Sequence, residues 1–179
     1  MSEHQAPEIP ATPSYNRPPV AEVSCGVIFD PVRMSRLRLG SFWQEIRDEY
    51  PRTEEAEPLA AMSESLDPKV AGTLEFRDQW RDLLIHANDD RVVQLQRDRL
   101  QFNWRRGQNE AQYPRFASVL SGFHDHLARF EAFVQRETGH TIKPSQYEVT
   151  YINHIFEGEP AWRPAALLGE LLPDFLQSF

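Results

Sequence analysis

The chain has 179 residues, 40% of them hydrophobic, and 19 Lys and Arg against 27 Asp and Glu give a formal charge of −8. That length fits one domain, since about 150 residues bury roughly two-thirds of their unfolded surface, and the acidic balance argues against a generic nucleic-acid or anionic-membrane binder. One cysteine, Cys25, excludes an internal disulfide framework and a Cys-rich zinc site, no apolar run approaches the ~18 residues of a spanning helix, and the expectation is a cytoplasmic protein with no membrane partner.

Residues 1–19 hold five prolines (Pro7, Pro10, Pro13, Pro18 and Pro19) and almost no large aliphatics, so they read as a disordered tail. From 21 to 29 the pattern alternates, with Val23, Cys25, Val27 and Phe29 on one face and Glu22, Ser24 and Gly26 on the other. Period two predicts a half-buried strand, stopped by Asp30-Pro31. Leu39, Phe42, Trp43, Ile46 and Tyr50 then form one helical stripe ended by Pro51, which predicts a helix over 34–50. Gly40 and Ser41 mark where a shorter helix would start. Residues 52–72 are acidic and small, with Pro58 and Pro68, and read as a flexible acidic loop.

Thr73–Arg77 and Trp80–Ala87 each predict a strand, and Asn88-Asp89-Asp90 a turn. Val93 and Leu95 are apolar at odd positions, whereas Leu100, Phe102 and Trp104 are apolar at even ones. One flat strand cannot change parity, so Arg97-Asp98 is a turn or a bulge, and the expectation is a hairpin. Over 114–137, Phe116, Val119, Leu120, Phe123, Leu127, Phe130 and Val134 repeat at helical spacing, with Pro114 at the first helical position and Gly139 at the C-terminal cap. Tyr147, Val149, Tyr151 and Ile155 alternate with Glu148, Thr150 and His154 and predict a final strand. Residues 161–179 read as a short apolar C-terminal helix, either docking on the sheet or starting a second half. The fold class expected is α+β: over 20–160, a single antiparallel twisted sheet with two long amphipathic helices packed on one face, in the order β-α-β-β-β-α-β.

Four stretches carry a resemblance. They are Pro18-Pro19-Val20 with Glu22-Val23; Val93 to Leu100 running into Asn103-Trp104-Arg105; Tyr113-Pro114-Arg115-Phe116; and Glu148-Val149 with Tyr151-Ile152-Asn153. In this order and spacing the chain resembles a sporadically distributed family of uncharacterised prokaryotic proteins, over about residues 15–156. The family implies no established activity. Its members look longer, with a further β-rich half, so the resemblance implies an N-terminal half, and its patchy distribution implies a mobile-element or defence-type setting.

The chemistry-bearing residues form no catalytic or metal-binding pattern. His124 and His126 lie about 200° apart around a helix and cannot share a metal, and His124, Asp125 and Arg129 read as a solvated helix face. His86, His140 and His154 are scattered, and Cys25 sits on an apolar strand face as a small hydrophobe. No nucleophile elbow, phosphate-binding loop or dinucleotide fingerprint is present, so no cofactor is expected. The hairpin is the exception: Arg97, Arg99, Arg105 and Arg106 are interleaved with Gln101 and Asn103. Leu100, Phe102 and Trp104 share the opposite face, so the even positions pack inward and the odd ones form a polar outer strip. The leading expectation is a non-enzymatic protein-interaction module that binds a protein partner or a second copy of itself. A second is RNA or single-stranded nucleic-acid binding through residues 97–106. A third is a hydrolase or nuclease whose site is assembled only by folding.

Overall fold

The computed structural model describes residues 18–59, 80–107 and 112–154. The tail through residue 17, the Thr73–Arg77 strand, most of the 52–72 loop and the 161–179 helix lie outside these residues. The elements are β1 (Val20–Phe29), α1 (Arg36–Gly40), α2 (Trp43–Ile46), β2 (Arg52–Ala56), β3 (Arg81–Ile85), β4 (Arg91–Gln96), β5 (Arg99–Arg105), α3 (Phe116–Thr138) and β6 (Pro144–Asn153). All six strands join one antiparallel sheet in the order β2-β3-β4-β5-β1-β6. This is the α+β sheet with helices on one face.

The parity change resolves as a two-residue hairpin, with Gln96 paired to Arg99 across Arg97-Asp98. The loop is braced from below, because Phe29 N donates to Asp98 O at 2.9 Å and Val32 N to Arg97 O at 2.9 Å. α3 is the long helix expected, and it ends at Gly139, whose φ of +74° is the left-handed cap conformation. It begins at Phe116, two residues after Pro114, because Arg115 takes a positive φ.

Two expectations are corrected. The stripe over 34–50 is buried as predicted at Leu39, Phe42, Ile46 and Tyr50, but it belongs to two short helices rather than one long one. Ser41 N, Phe42 N, Gln44 N and Glu45 N all donate to carbonyls three residues back, and Ser41 Oγ donates to Arg38 O at 2.6 Å. The tighter turns keep the stripe inward while interrupting the α-helical ladder. The acidic segment is also not loop throughout: residues 52–56 form β2, paired with β3. An edge strand with both faces in water needs no apolar alternation, so periodicity does not register it, and its charges guard the edge against further pairing.

One core lies between the sheet and the helices. In-register rows cross the sheet, such as Leu84, Val93, Phe102, Cys25 and Val149. α3 lies over β1 and β5, and Phe42 joins it to the shorter helices through ring contacts with Phe130 at 5.3 Å and Phe133 at 5.5 Å. At Gly122 of α3 an added Cβ would stand 2.6 Å from the Phe102 ring. Gly122→Ala should therefore lower stability by about 1–3 kcal/mol, even though Ala is favoured over Gly in helices by up to about 1 kcal/mol. Gly40→Ala, where the added carbon meets nothing within 4 Å, should be neutral or slightly stabilising, both variants being read from urea unfolding midpoints.

Candidate functional site

The strip 99–105 sits on the sheet face away from α3, and its central members are buried: Arg99 is 4% exposed, Gln101 7% and Asn103 3%. Neighbouring strands supply their partners. Asn103 Nδ2 donates to Glu22 and its Oδ1 accepts from Ser24 Oγ at 3.1 Å. Gln101 donates to Glu148 of β6, and Arg99 NH1 lies 3.7 Å from the same carboxylate. Gly26 makes this crossing possible, because a Cβ there would stand 2.8 Å from Gln101 and 2.9 Å from Glu148 Oε1. The exposed polar strip expected from the sequence is thus an internal hydrogen-bonded layer.

The remaining arginines of the hairpin are spent on structure. Arg97 Nε donates to Val32 O at 3.2 Å, Arg105 pairs with Asp89, and Arg106 NH2 donates to Pro18 O at 3.0 Å and Val20 O at 2.9 Å. Each of the four guanidiniums has a protein partner.

A second cluster lies where β3 meets the helices. Tyr50 is edge-on to both His86, at 5.3 Å, and His126, at 5.2 Å, and His126 stacks on Phe102 at 5.0 Å. Arg91 NH2 lies 2.7 Å from His86 Nε2, and Nδ1 stands 3.1 Å from the backbone N–H of Asn88 and 3.0 Å from the Asp90 carboxylate. A His–Asp pair could orient a general base, but here Arg91 occupies the nitrogen that a substrate would need. Burial, then Arg91, holds the His86 pKa below its ordinary value. His140 instead lines a groove with Asp30, and His154 follows β6, where its backbone N–H donates to Pro19 O. No two of His86, His140 and His154 share a cleft with a carboxylate among the described residues. A cleft of about 250 Å³ between α3 and β5 is lined by Asp90, Arg91, Phe102 and Trp104 and contains none of them.

Sequence reasoning missed His126 by weighing it only against His124. It lies three residues after Phe123 and four before Phe130, on the buried stripe, and its Nδ1 donates to Gly122 O at 2.7 Å. Burial pushes its pKa down, so the fold holds it neutral. A histidine with a lowered folded pKa contributes full stability above the unfolded value, near 6.5, and loses it as pH falls toward the folded value. His126→Phe should keep the ring stack and flatten stability against pH below about 6.5 by up to about 1.4 kcal/mol per pH unit, read from urea midpoints between pH 5 and 8.

The third feature is β6. Its Tyr147, Val149 and Tyr151 pair with Val27, Cys25 and Val23 and share the helix-side face. Yet they are 62%, 52% and 45% exposed, whereas their β1 partners are buried, because α3 lies over β1 and β5. Tyr151 alone gains cover near α3, with Phe116 at 6.2 Å and the Tyr113 hydroxyl at 3.5 Å. β6 is also an edge of the sheet among the described residues. No metal-ligand group of three or more occurs among the described residues, and no helix there is long and apolar enough to cross a membrane. No family model, curated protein or solved structure matches this chain.

Proposed function

We propose that this chain is a non-enzymatic protein-interaction module whose recognition surface is the outer edge and helix-side face of β6. The observation that carries the proposal is a ten-residue strand, an edge of the sheet among the described residues, with Tyr147, Val149 and Tyr151 half-exposed on the side where the central strands are covered. An edge strand of this kind offers unpaired backbone groups and alternating side-chain anchors, which is how one protein adds a strand to another. The polar layer ties β6 to the sheet, through Gln101 and Arg99 on Glu148. A cytoplasmic location belongs to the same proposal and is supported by the single cysteine, Cys25, which leaves no internal disulfide framework to require an oxidising compartment. A mobile-element or defence-type setting rests on the four sequence stretches that resemble the prokaryotic family.

The test is a photoreactive phenylalanine in place of Tyr147, irradiated in cells of the native host. A cross-link to a protein, lost when Val149→Lys is added, is the expected result. Cross-linking to no protein at all overturns the proposal.

A further inference from the structure

We infer that the partner of β6 is a second copy of this chain, paired antiparallel about a two-fold axis at Val149, so that two six-stranded sheets become one. The inference rests on β6 being the recognition surface and adds the identity of the partner. Three observations carry it: the backbone on the outer edge of β6 among the described residues, the charge of the strand, and the one register that satisfies both.

The backbone direction follows from one hydrogen bond. His154 N donates to Pro19 O, so alternation along β6 turns the backbone groups of Tyr151, Val149 and Tyr147 away from β1. These N–H and C=O groups point off the sheet, beside the exposed side chains of the same residues.

The two edges of the sheet differ in their protection. β2 carries Arg52, Glu54 and Glu55 among five residues, all three exposed. In β6 the sole charge is Glu148, and Gln101 and Arg99 hold it on the polar layer. A strand without exposed charge or an interior proline lacks the usual guards against pairing with itself. It also offers nothing to attract a strongly acidic or basic partner.

Register selects the axis. Residues on the same face must oppose one another, so the two strands shift only in steps that keep parity. An axis at Glu148 would set that carboxylate against its copy, and like charges directly opposed are destabilising. An axis at Val149 is the nearest alternative to the strand's centre. It sets Val149 on Val149, Tyr147 on Tyr151 and Glu148 on Thr150, with the outward backbone groups forming the closely spaced hydrogen-bonded pairs. The axis stands perpendicular to the sheet, so both copies of α3 lie on the same side and the four tyrosines and two valines close the gap between them.

The test is sedimentation velocity of the full chain across about a hundredfold range of concentration. The expected species at the upper end has twice the monomer mass, and Val149→Lys should weaken dimerisation at least about tenfold by placing two ammonium groups face to face. Thr53→Lys on β2 should leave the dimer unchanged. If Val149→Lys fails to fold, Val149→Cys in a Cys25→Ala background decides, the native thiol being removed because it is the cross-strand neighbour of position 149: a cysteine on the axis should oxidise to a covalent dimer whereas Tyr147→Cys in the same background should not. A monomer at every concentration, or a dimer indifferent to position 149, overturns the inference. A monomer whose photoreactive position 147 still cross-links to another protein leaves the interaction module standing and removes only the self-pairing.

Discussion

Phe130→Ala is expected to destabilise the protein by about 3–5 kcal/mol, the range for removing a buried aromatic. Phe130 is fully buried on α3 and its ring meets Phe29 of β1 at 5.7 Å, Phe42 ahead of α2 at 5.3 Å and Phe133 at 6.4 Å. The ring therefore ties the sheet, the split helix and the long helix at one point. The cavity left by alanine is lined by the rings of Phe29, Phe42 and Phe133, and collapse into it would need β1 or the split helix to move toward α3. For a chain of this size each kcal/mol shifts Tm by about 2–4 °C, so the loss should read as roughly 6–20 °C. Leu37→Ala, on an exposed side chain of α1, should stay within about 0.5 kcal/mol and controls for helix propensity. Urea unfolding with an unchanged slope would assign the difference to the native state.

Glu148→Ala should cost about 2–4 kcal/mol, somewhat below the loss for breaking a fully buried pair. Glu148 accepts from Gln101 and faces Arg99 at 3.7 Å, and both of those residues are buried. Removing the carboxylate leaves an amide without its acceptor and a buried guanidinium without this counter-charge. Glu148→Gln retains an acceptor for Gln101 and should lose less, about 1–2 kcal/mol. Pairing Glu148→Leu with Arg99→Met should recover most of the loss, because replacing both ions spares the desolvation that a lone charge suffers. A double-mutant cycle reads the coupling directly, and additive losses would mean that the two residues do not act on each other.

The same residues show where sequence is informative. β1, the hairpin at Arg97-Asp98, α3 with its Gly139 cap and β6 are all legible from periodicity and turn chemistry, because each signal is contained within a few turns or a few alternations. The division of 34–50 is written at Gly40-Ser41, but choosing it depends on packing: Phe42 must reach Phe130 and Phe133 while Leu39 and Tyr50 stay buried. β2 leaves no periodic trace, since backbone bonds to β3 hold it while its side chains face water. The strip 99–105 reads as outer surface because its polarity is local, whereas the carboxylates that enclose it, Glu22 and Glu148, arrive from 81 and 47 residues away.

What the sequence by itself determined is β1, the hairpin strands, α3 and β6, their order and the face of each that is apolar, all consequences of side-chain alternation and helical repeat. Tertiary structure alone decided which of those faces are covered. Burial depends on the breadth of α3 against the breadth of the sheet: one helix spans β1 and β5, so Val23, Cys25 and Val27 are enclosed while Tyr147, Val149 and Tyr151, identical in pattern, stay at the surface. A composition of 27 acidic and 19 basic residues likewise says nothing of which charges meet. The fold places the arginines of the hairpin against carboxylates and carbonyls, and it leaves β6, whose one charge turns to the polar layer, at an edge of the sheet among the described residues.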